Sequence, residues 1–229
     1  MKRARFWKCT NPECALRFPE VVEGAHQAPL RTCPRCGAPV HLAAQVDLPV
    51  ELAFPHRQPR PAPLPPATPG ARLAVLDNLR SAWNVGSIFR SADGAGWGHL
   101  CLCGFTPTPD HPGVTKTALG AEQQVAWSYH PNAVCLAQAL KAQGWTLWAL
   151  ETGPQARPLP MLHTEARDLA LALVLGNEQA GVDPGVLALC DRVVALPMTG
   201  HKRSLNVAVA FAVAAYLLMS PGGQSHASN

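Results

Sequence analysis

Charge is scarce in this 229-residue chain: 15% of residues are Asp, Glu, Lys or Arg, against 48% hydrophobic. That balance excludes a disordered chain and leaves enough apolar side chains to bury a core. Its eight cysteines are too sparse for a small disulfide scaffold, and no collagen-like glycine period runs through it. Long hydrophobic runs are missing. The longest, Val207 to Met219, has 13 residues, where a membrane span needs roughly 20. The basic start MKRARFWKCT leads into no apolar stretch of secretory type. These absences point to a cytoplasmic protein with no membrane partner and, by default, reduced cysteines. Internal repeats are absent too.

What charge there is lies unevenly. Residues 1–71 hold nine Lys/Arg and five Asp/Glu, while residues 72–229 hold ten of each. A polyanion is therefore first suspected at the N-terminal third. Residues 55–70, PHRQPRPAPLPPATPG, contain seven prolines. With φ fixed and donors missing, such a stretch forms neither helix nor central strand. It reads as a semi-rigid linker. The organisation expected is a small module over 1–54, a linker over 55–71, a larger domain over 72–220 and a flexible tail over 221–229.

The larger domain alternates apolar runs with amphipathic segments. Strands are expected over Arg72–Leu79, His99–Phe105, Trp145–Glu151, Leu169–Gly176 and Arg192–Leu196. Helices are expected over Asn84–Ala95, Asn132–Gln143, Asp183–Cys190 and Ser204–Met219. The alternation argues for an α/β domain with a mostly parallel sheet and helices on both faces. In such sheets ligands bind beyond the carboxyl ends of the strands, which is where the loops Gly176–Gly181 and Pro197–Ser204 fall.

Four cysteines crowd the small module: Cys9, Cys14, Cys33 and Cys36. Their spacing is C-x4-C, an 18-residue gap, then C-x2-C. The second pair sits in a C-P-R-C-G turn, whose glycine permits a tight backbone. Four thiolates around one tetrahedral ion make a closed structural zinc site, and a module with so few large apolar side chains needs such a staple. His26 or His41 could replace one cysteine, and two separate pairs of thiols or disulfides are the competing reading. Cys101, Cys103, Cys135 and Cys190 lie in apolar segments and read as buried, inert thiols.

Three segments concentrate polar residues in apolar surroundings. The first is Asn84-Val85-Gly86-Ser87-Ile88-Phe89-Arg90, where Asn84 could simply cap a helix. The second is Gly176-Asn177-Glu178-Gln179-Ala180-Gly181, which directly follows a buried strand. It is neither a Walker loop nor a G-x-G-x-x-G fingerprint. The third runs from Leu196 to Val207 (LPMTGHKRSLNV), with Ser204 a candidate helix cap. Asn206 sits just inside an otherwise apolar helix, so its amide must find partners.

In this order and separation the segments resemble the SpoU (TrmH-like) family of RNA ribose 2′-O-methyltransferases, of the SPOUT class. Lys116-Thr117-Ala118-Leu119-Gly120-Ala121 adds to the likeness, which covers about Arg72 to Leu218. The resemblance implies a C-terminal trefoil knot that binds S-adenosylmethionine. Gly176, Leu196 and Leu205 would line that site, with Leu150 and Glu151 beside them. It implies a homodimer with the reaction site at the subunit interface, and tRNA or rRNA as substrate. Arg90 would be the catalytic candidate, as base or as stabiliser of phosphate and alkoxide. Asn84 would orient Arg90 or the ribose, Glu178 would fix the loop or substrate, and Ser204 and Asn206 would hold ribose or cofactor. Lys116, Lys202 and Arg203 would contact phosphates. The N-terminal module, with Lys2, Arg3, Arg5, Lys8, Phe6 and Trp7, could stack on and grip RNA. Alternatives are methylation of an RNA base by a related knotted fold, and a non-catalytic zinc-ribbon protein that binds RNA.

Overall fold

The computed structural model describes residues 2–23, 30–48 and 63–219. His26, linker residues 55–62 and the tail 221–229 lie outside the described residues. The N-terminal cysteines belong to an antiparallel sheet of order β2-β1-β3, made of β1 (Lys2–Cys9), β2 (Arg17–Glu23) and β3 (Val40–Leu48). A register shift against β3 falls between Phe6 and Trp7. Successive strand residues point to opposite faces, yet Phe6 and Trp7 are both buried. The reason is that both faces are covered. Trp7 packs with Cys9, Leu16 and Phe18, whereas Ala4 and Phe6 pack against Ala180 of the larger domain. The expectation that these two aromatics stack on RNA is therefore corrected: neither ring is open to solvent.

The larger domain carries a seven-stranded, all-parallel sheet. Its strands are β4 (Arg72–Asp77), β5 (His99–Cys103), β6 (Ala126–His130), β7 (Thr146–Leu150), β8 (Arg157–Pro158), β9 (Leu171–Leu175) and β10 (Arg192–Ala195), in the order β6-β5-β4-β9-β7-β10-β8. The helices are α1 (Ala82–Gly94), α2 (Pro112–Ala118), α3 (Ala121–Gln124), α4 (Ala133–Ala142), α5 (His163–Ala166), α6 (Pro184–Leu187) and α7 (Val207–Leu217). Along β4 and β9 the side chains alternate between two cores. Leu76, Leu173 and Leu175 join the layer that contains α1 and α7, while Val75, Ala172 and Val174 join that of α4 and α6. Burial on both faces explains why these strands read as unbroken apolar runs. Strand β6 and helices α2, α3 and α5 go beyond the elements expected from sequence.

Chain order and sheet order diverge at the C-terminal end. Strand β9 enters between β4 and β7, and β10 enters between β7 and β8, after those neighbours are already laid down. Helix α7 then crosses back to pack on α1. This interleaving is the sheet order that goes with the trefoil knot the resemblance implies. Arg72 fastens it: the buried guanidinium donates to the carbonyls of Leu218, Ala71, Leu169, Ala166 and Arg167 at 2.7–3.3 Å. Among the described residues no helix is long and apolar enough to cross a membrane.

At the sheet edge the Ser128 hydroxyl lies 2.8 Å from Nε2 of both His99 and His130. The same hydroxyl lies 3.8 Å from Cys101 Sγ, so the two rings and the thiol share its one proton and its lone pairs. Burial holds both imidazoles down to about 4, with the neighbouring His130 adding to the effect on His99. The folded state therefore binds fewer protons than the unfolded chain between about pH 4 and 6.5, and stability is lost as pH falls through that window. Between pH 7 and 5, wild type is expected to lose about 1–2 kcal/mol more than His130→Gln. Urea midpoints at the two pH values check this, and equal losses would contradict it.

Candidate active site

Three strand ends and one helix start enclose a cleft of about 480 Å³. Leu150, Glu151 and Thr152 follow β7; Leu175 to Gln179 with Gly181 follow β9; Ala195, Leu196 and Met198 follow β10; and Ser204 to Val207 lead into α7. All five sequence-predicted cofactor residues (Leu150, Glu151, Gly176, Leu196 and Leu205) line it, with Glu178, Ser204 and Asn206. The lining mixes aliphatic and uncharged polar side chains with two carboxylates, and it holds no Lys or Arg.

The loop after β9 is built around its first residues. A Cβ on Gly176 would lie 2.1 Å from the Val182 nitrogen, so only glycine lets the loop fold back on itself. Asn177 then exchanges backbone hydrogen bonds with Gly181. Its side chain accepts from the N–H groups of Gln179 and Ala180 and donates to the Asn78 carbonyl at 2.6 Å. Glu151 accepts from the N–H groups of Thr152 and Val182. Asn177 is a loop-building residue that the sequence signals only by its place directly after an obligatory glycine.

Glu178 ties this loop to α1. Its carboxylate accepts from the backbone N–H groups of Arg80 and Ser81 and from Asn84 Nδ2, at 2.9–3.2 Å. Asn206 Nδ2 in turn donates to Asn84 Oδ1 at 3.1 Å. Glu178, Asn84 and Asn206, one from each sequence segment, thus form a connected trio at the cleft. Two cap assignments are corrected. The cap of α1 is Ser81, which frees the Asn84 side chain for the trio. The cap of α7 is Asn206, whose Oδ1 accepts from Ala208 and Val209 N–H. That carbonyl serves two orphan donors of the first turn, so the helix begins after Asn206 and Ser204 stays in the loop.

The predicted RNA-facing residues are not in the cleft. Arg90 is exposed on α1, and no hydrogen bond or ion pair of its side chain occurs among the described residues. Lys202 and Arg203 are exposed in the loop next to Ser204. Lys116 is exposed on α2, which packs on α1 at Gly86 so closely that a Cβ there would lie 2.0 Å from Thr117 Oγ1.

The N-terminal cysteines converge as expected. Sγ atoms of Cys9, Cys14, Cys33 and Cys36 all lie within 4.8 Å of one another, with Cys9–Cys36 at 3.5 Å and Cys14–Cys33 at 3.8 Å. Thiolates about 2.3 Å from a tetrahedral ion stand roughly 3.8 Å apart, so the donor set fits such an ion. None of the four is in a disulfide, and His41 is not part of the cluster. Elsewhere Cys101 and Cys103 are buried, and burial pushes Cys101 up to about 12. Cys135 departs from its expected burial: it lies on the open side of α4.

Fold and cleft together define a knotted α/β domain of the SPOUT class, with a small-molecule cleft at the strand ends. The sequence pattern of the SpoU rRNA Methylase family matches residues 71–216, and the chain belongs to that family. It is 30% identical over 149 residues to the 23S rRNA (guanosine(2553)-2′-O)-methyltransferase RlmP of Bacillus subtilis (strain 168), covering 64% of this chain and 57% of that protein. It is 36% identical over 142 residues to the 23S rRNA (guanosine-2′-O-)-methyltransferase RlmB of Burkholderia sp, covering 60% and 54%. The chain thus spans little more than half the length of these curated relatives. It is also similar to the crystal structure of the SpoU methyltransferase AviRb from Streptomyces viridochromogenes in complex with AdoMet. There the TM-score is 0.58 at 25% identity, covering 66% of this chain and 60% of that one.

Proposed function

We propose that the chain transfers a methyl group from S-adenosylmethionine to a ribose 2′-hydroxyl of tRNA or rRNA. The observation that carries this reading is the convergence of two of the three sequence segments on one cleft, with the third joined to both through the Glu178–Asn84–Asn206 trio. The cleft falls within the usual size range of small-molecule sites, about 300–1,000 Å³. Its two carboxylates and lack of basic residues suit a cationic ligand. S-Adenosylmethionine would supply a methyl group on a positively charged sulfur. Gly176, Leu196, Leu205, Leu150 and Glu151 would hold it, with Ser204 and Asn206 near the ribose to be methylated.

A ribose hydroxyl is a weak nucleophile until its developing charge is stabilised. The cleft lining contains no cation for that task. Arg90 supplies one if a second copy of the chain docks on the exposed face of α7. Val209, Val213 and Tyr216 line that face, each at least 41% exposed. The Tyr216 hydroxyl reaches Gly94 on α1, the helix that carries Arg90. A homodimer through α1 and α7 would thus set Arg90 beside the partner's cleft. Guanidinium is too basic to accept the proton; the role assigned is a grip on phosphate and forming alkoxide. Lys116, Lys202 and Arg203 would hold neighbouring phosphates.

The division into a module over 1–54, a linker over 55–71 and a methyltransferase domain over 72–220 is part of the proposal, as is zinc at the four cysteines. Zinc there has no open position for chemistry and acts as a staple. Elemental analysis is expected to find about one zinc per chain, by the four-thiolate count of such sites, and none in a Cys33→Ser/Cys36→Ser variant. Wild type that folds without zinc would refute the assignment.

Methyl transfer from labelled S-adenosylmethionine to unmodified tRNA and rRNA, followed by nucleoside analysis, tests the activity. A 2′-O-methylated nucleoside is the expected product. Label on a base would move the chain to base methylation. No label despite cofactor binding would leave an RNA-binding protein.

A further inference from the structure

The loop that lines the cleft on one side is covered on its other side by the cysteine-bearing sheet. Ala180, in the middle of the loop, is buried against Ala4 and Phe6 of β1. At the end of the loop, Asp183 is 1% exposed and receives the fork of Arg17, the first residue of β2. Arg17 Nε donates to Asp183 Oδ2 at 2.5 Å and Nη2 to Oδ1 at 2.7 Å. The Arg17 backbone N–H donates to the Pro131 carbonyl, and Phe18 meets Phe105 edge-on at 5.5 Å, so the sheet is seated at several points.

Asp183 is itself a junction. Its Oδ1 caps α6 through Gly185 N–H, and its own N–H donates to Asp77 Oδ2 at 2.9 Å. Asp77 accepts from Asn78 Nδ2, and Asn78 in turn offers its carbonyl to Asn177. Both ends of the loop therefore hang on one buried pair of carboxylates, and the cation bonded to one of them, Asp183, comes from the N-terminal sheet. Burial, together with the Asp183 charge, pushes Asp77 up to about 7. A buried charge stripped of its partner is strongly destabilising. Without Arg17 the carboxylates must separate, draw in water or take up a proton, and in each case the end of the loop loses the fork that fixes it.

We propose that Arg17 is a positioning residue for the cofactor site: the N-terminal sheet, through the Arg17–Asp183 fork, holds the loop 176–183 in the shape that the cleft requires. The inference rests on reading that cleft as the S-adenosylmethionine site. It makes the sheet a working part of the cofactor pocket rather than an appendage.

Amide hydrogen exchange and calorimetric titration with S-adenosylmethionine test it on the full chain, comparing wild type, Arg17→Met and Arg17→Lys. Arg17→Met is expected to exchange at least about 10-fold faster over 177–183, with core strands β4 and β9 unchanged, and to bind the cofactor at least about 10-fold more weakly. Arg17→Lys, which keeps the charge but loses the fork, should fall between. If Arg17→Met does not fold, Arg17→Lys carries the comparison. Loop protection and affinity equal to wild type would overturn the proposal. Protection lost equally in the loop and the core strands would also overturn it, since Arg17 would then support the fold as a whole. Failure of wild type to bind the cofactor would refute the reading of the cleft, and loop exchange alone would then decide the role of Arg17.

Discussion

Replacing Arg90 by alanine is expected to lower methyl transfer by about 10²–10³-fold, the effect of removing one preorganised stabiliser of transition-state charge. Melting temperature and cofactor affinity should stay close to wild type. The side chain is exposed and lies outside the cleft lining, and surface substitutions of this kind change stability by about 0.5 kcal/mol or less. Arg90→Lys should recover little, because a point charge does not reproduce a bidentate fork. Mixing Arg90→Ala with an inactive Glu178→Ala protein separates two arrangements. Activity that returns on mixing means that Arg90 serves the partner's cleft. Activity that stays absent, in a confirmed mixed dimer, means that it serves its own. Full activity in Arg90→Ala alone would remove Arg90 from the chemistry.

Arg72→Met should lower stability without touching the cleft. Its guanidinium joins β4, the approach to β9, and the end of α7, the three places where the knot is drawn together. Three of its five acceptors keep another donor: Ala71 from Leu171, Leu169 from Gly70 and Ala166 from Leu169 N–H. The carbonyl of buried Leu218 keeps no other donor among the described residues, whereas that of Arg167, an exposed residue, can bond water. Each buried, unsatisfied carbonyl costs about 1–3 kcal/mol. Burial already lowers the pKa of Arg72, so removing the charge returns part of that cost. A loss of about 1–3 kcal/mol is expected, read as a lower urea midpoint at unchanged slope. Arg72→Lys should recover part of it. An unchanged midpoint in Arg72→Met would show that the knot holds without this anchor.

Much of the fold was legible because burial on both faces leaves a strong mark. Leu171 to Leu175 is apolar at every position, and only a strand covered by helices on both sides tolerates that. The three segments were legible through their order and separation, which carry the resemblance; of their polar residues only Asn206, just inside an apolar run, signalled on its own that its amide has partners. Gly176 signalled itself as a residue whose backbone must come close to something. The cysteine spacing carried the metal-like cluster, since four thiols at those intervals have few other uses in so small a module.

Other features belong to tertiary structure alone. Local sequence does not record the order in which strands insert, so the knot followed from resemblance and then from the sheet order. Ser81 and Asn206 displaced Asn84 and Ser204 as helix caps, because capping is decided by which side chain lies within reach of the first N–H groups and both alternatives were chemically fit. Phe6 and Trp7 looked like an RNA-facing pair until the sheet proved to be covered on both faces. Arg17 and Asp183 are 166 residues apart, and neither is unusual in its own neighbourhood. The sequence by itself determined the α/β class, the cleft-forming segments and the thiol cluster, because each is written in residues that local physics constrains. Only the tertiary structure decided which of them touch, because a contact between distant segments depends on how the whole chain is threaded and leaves no local trace.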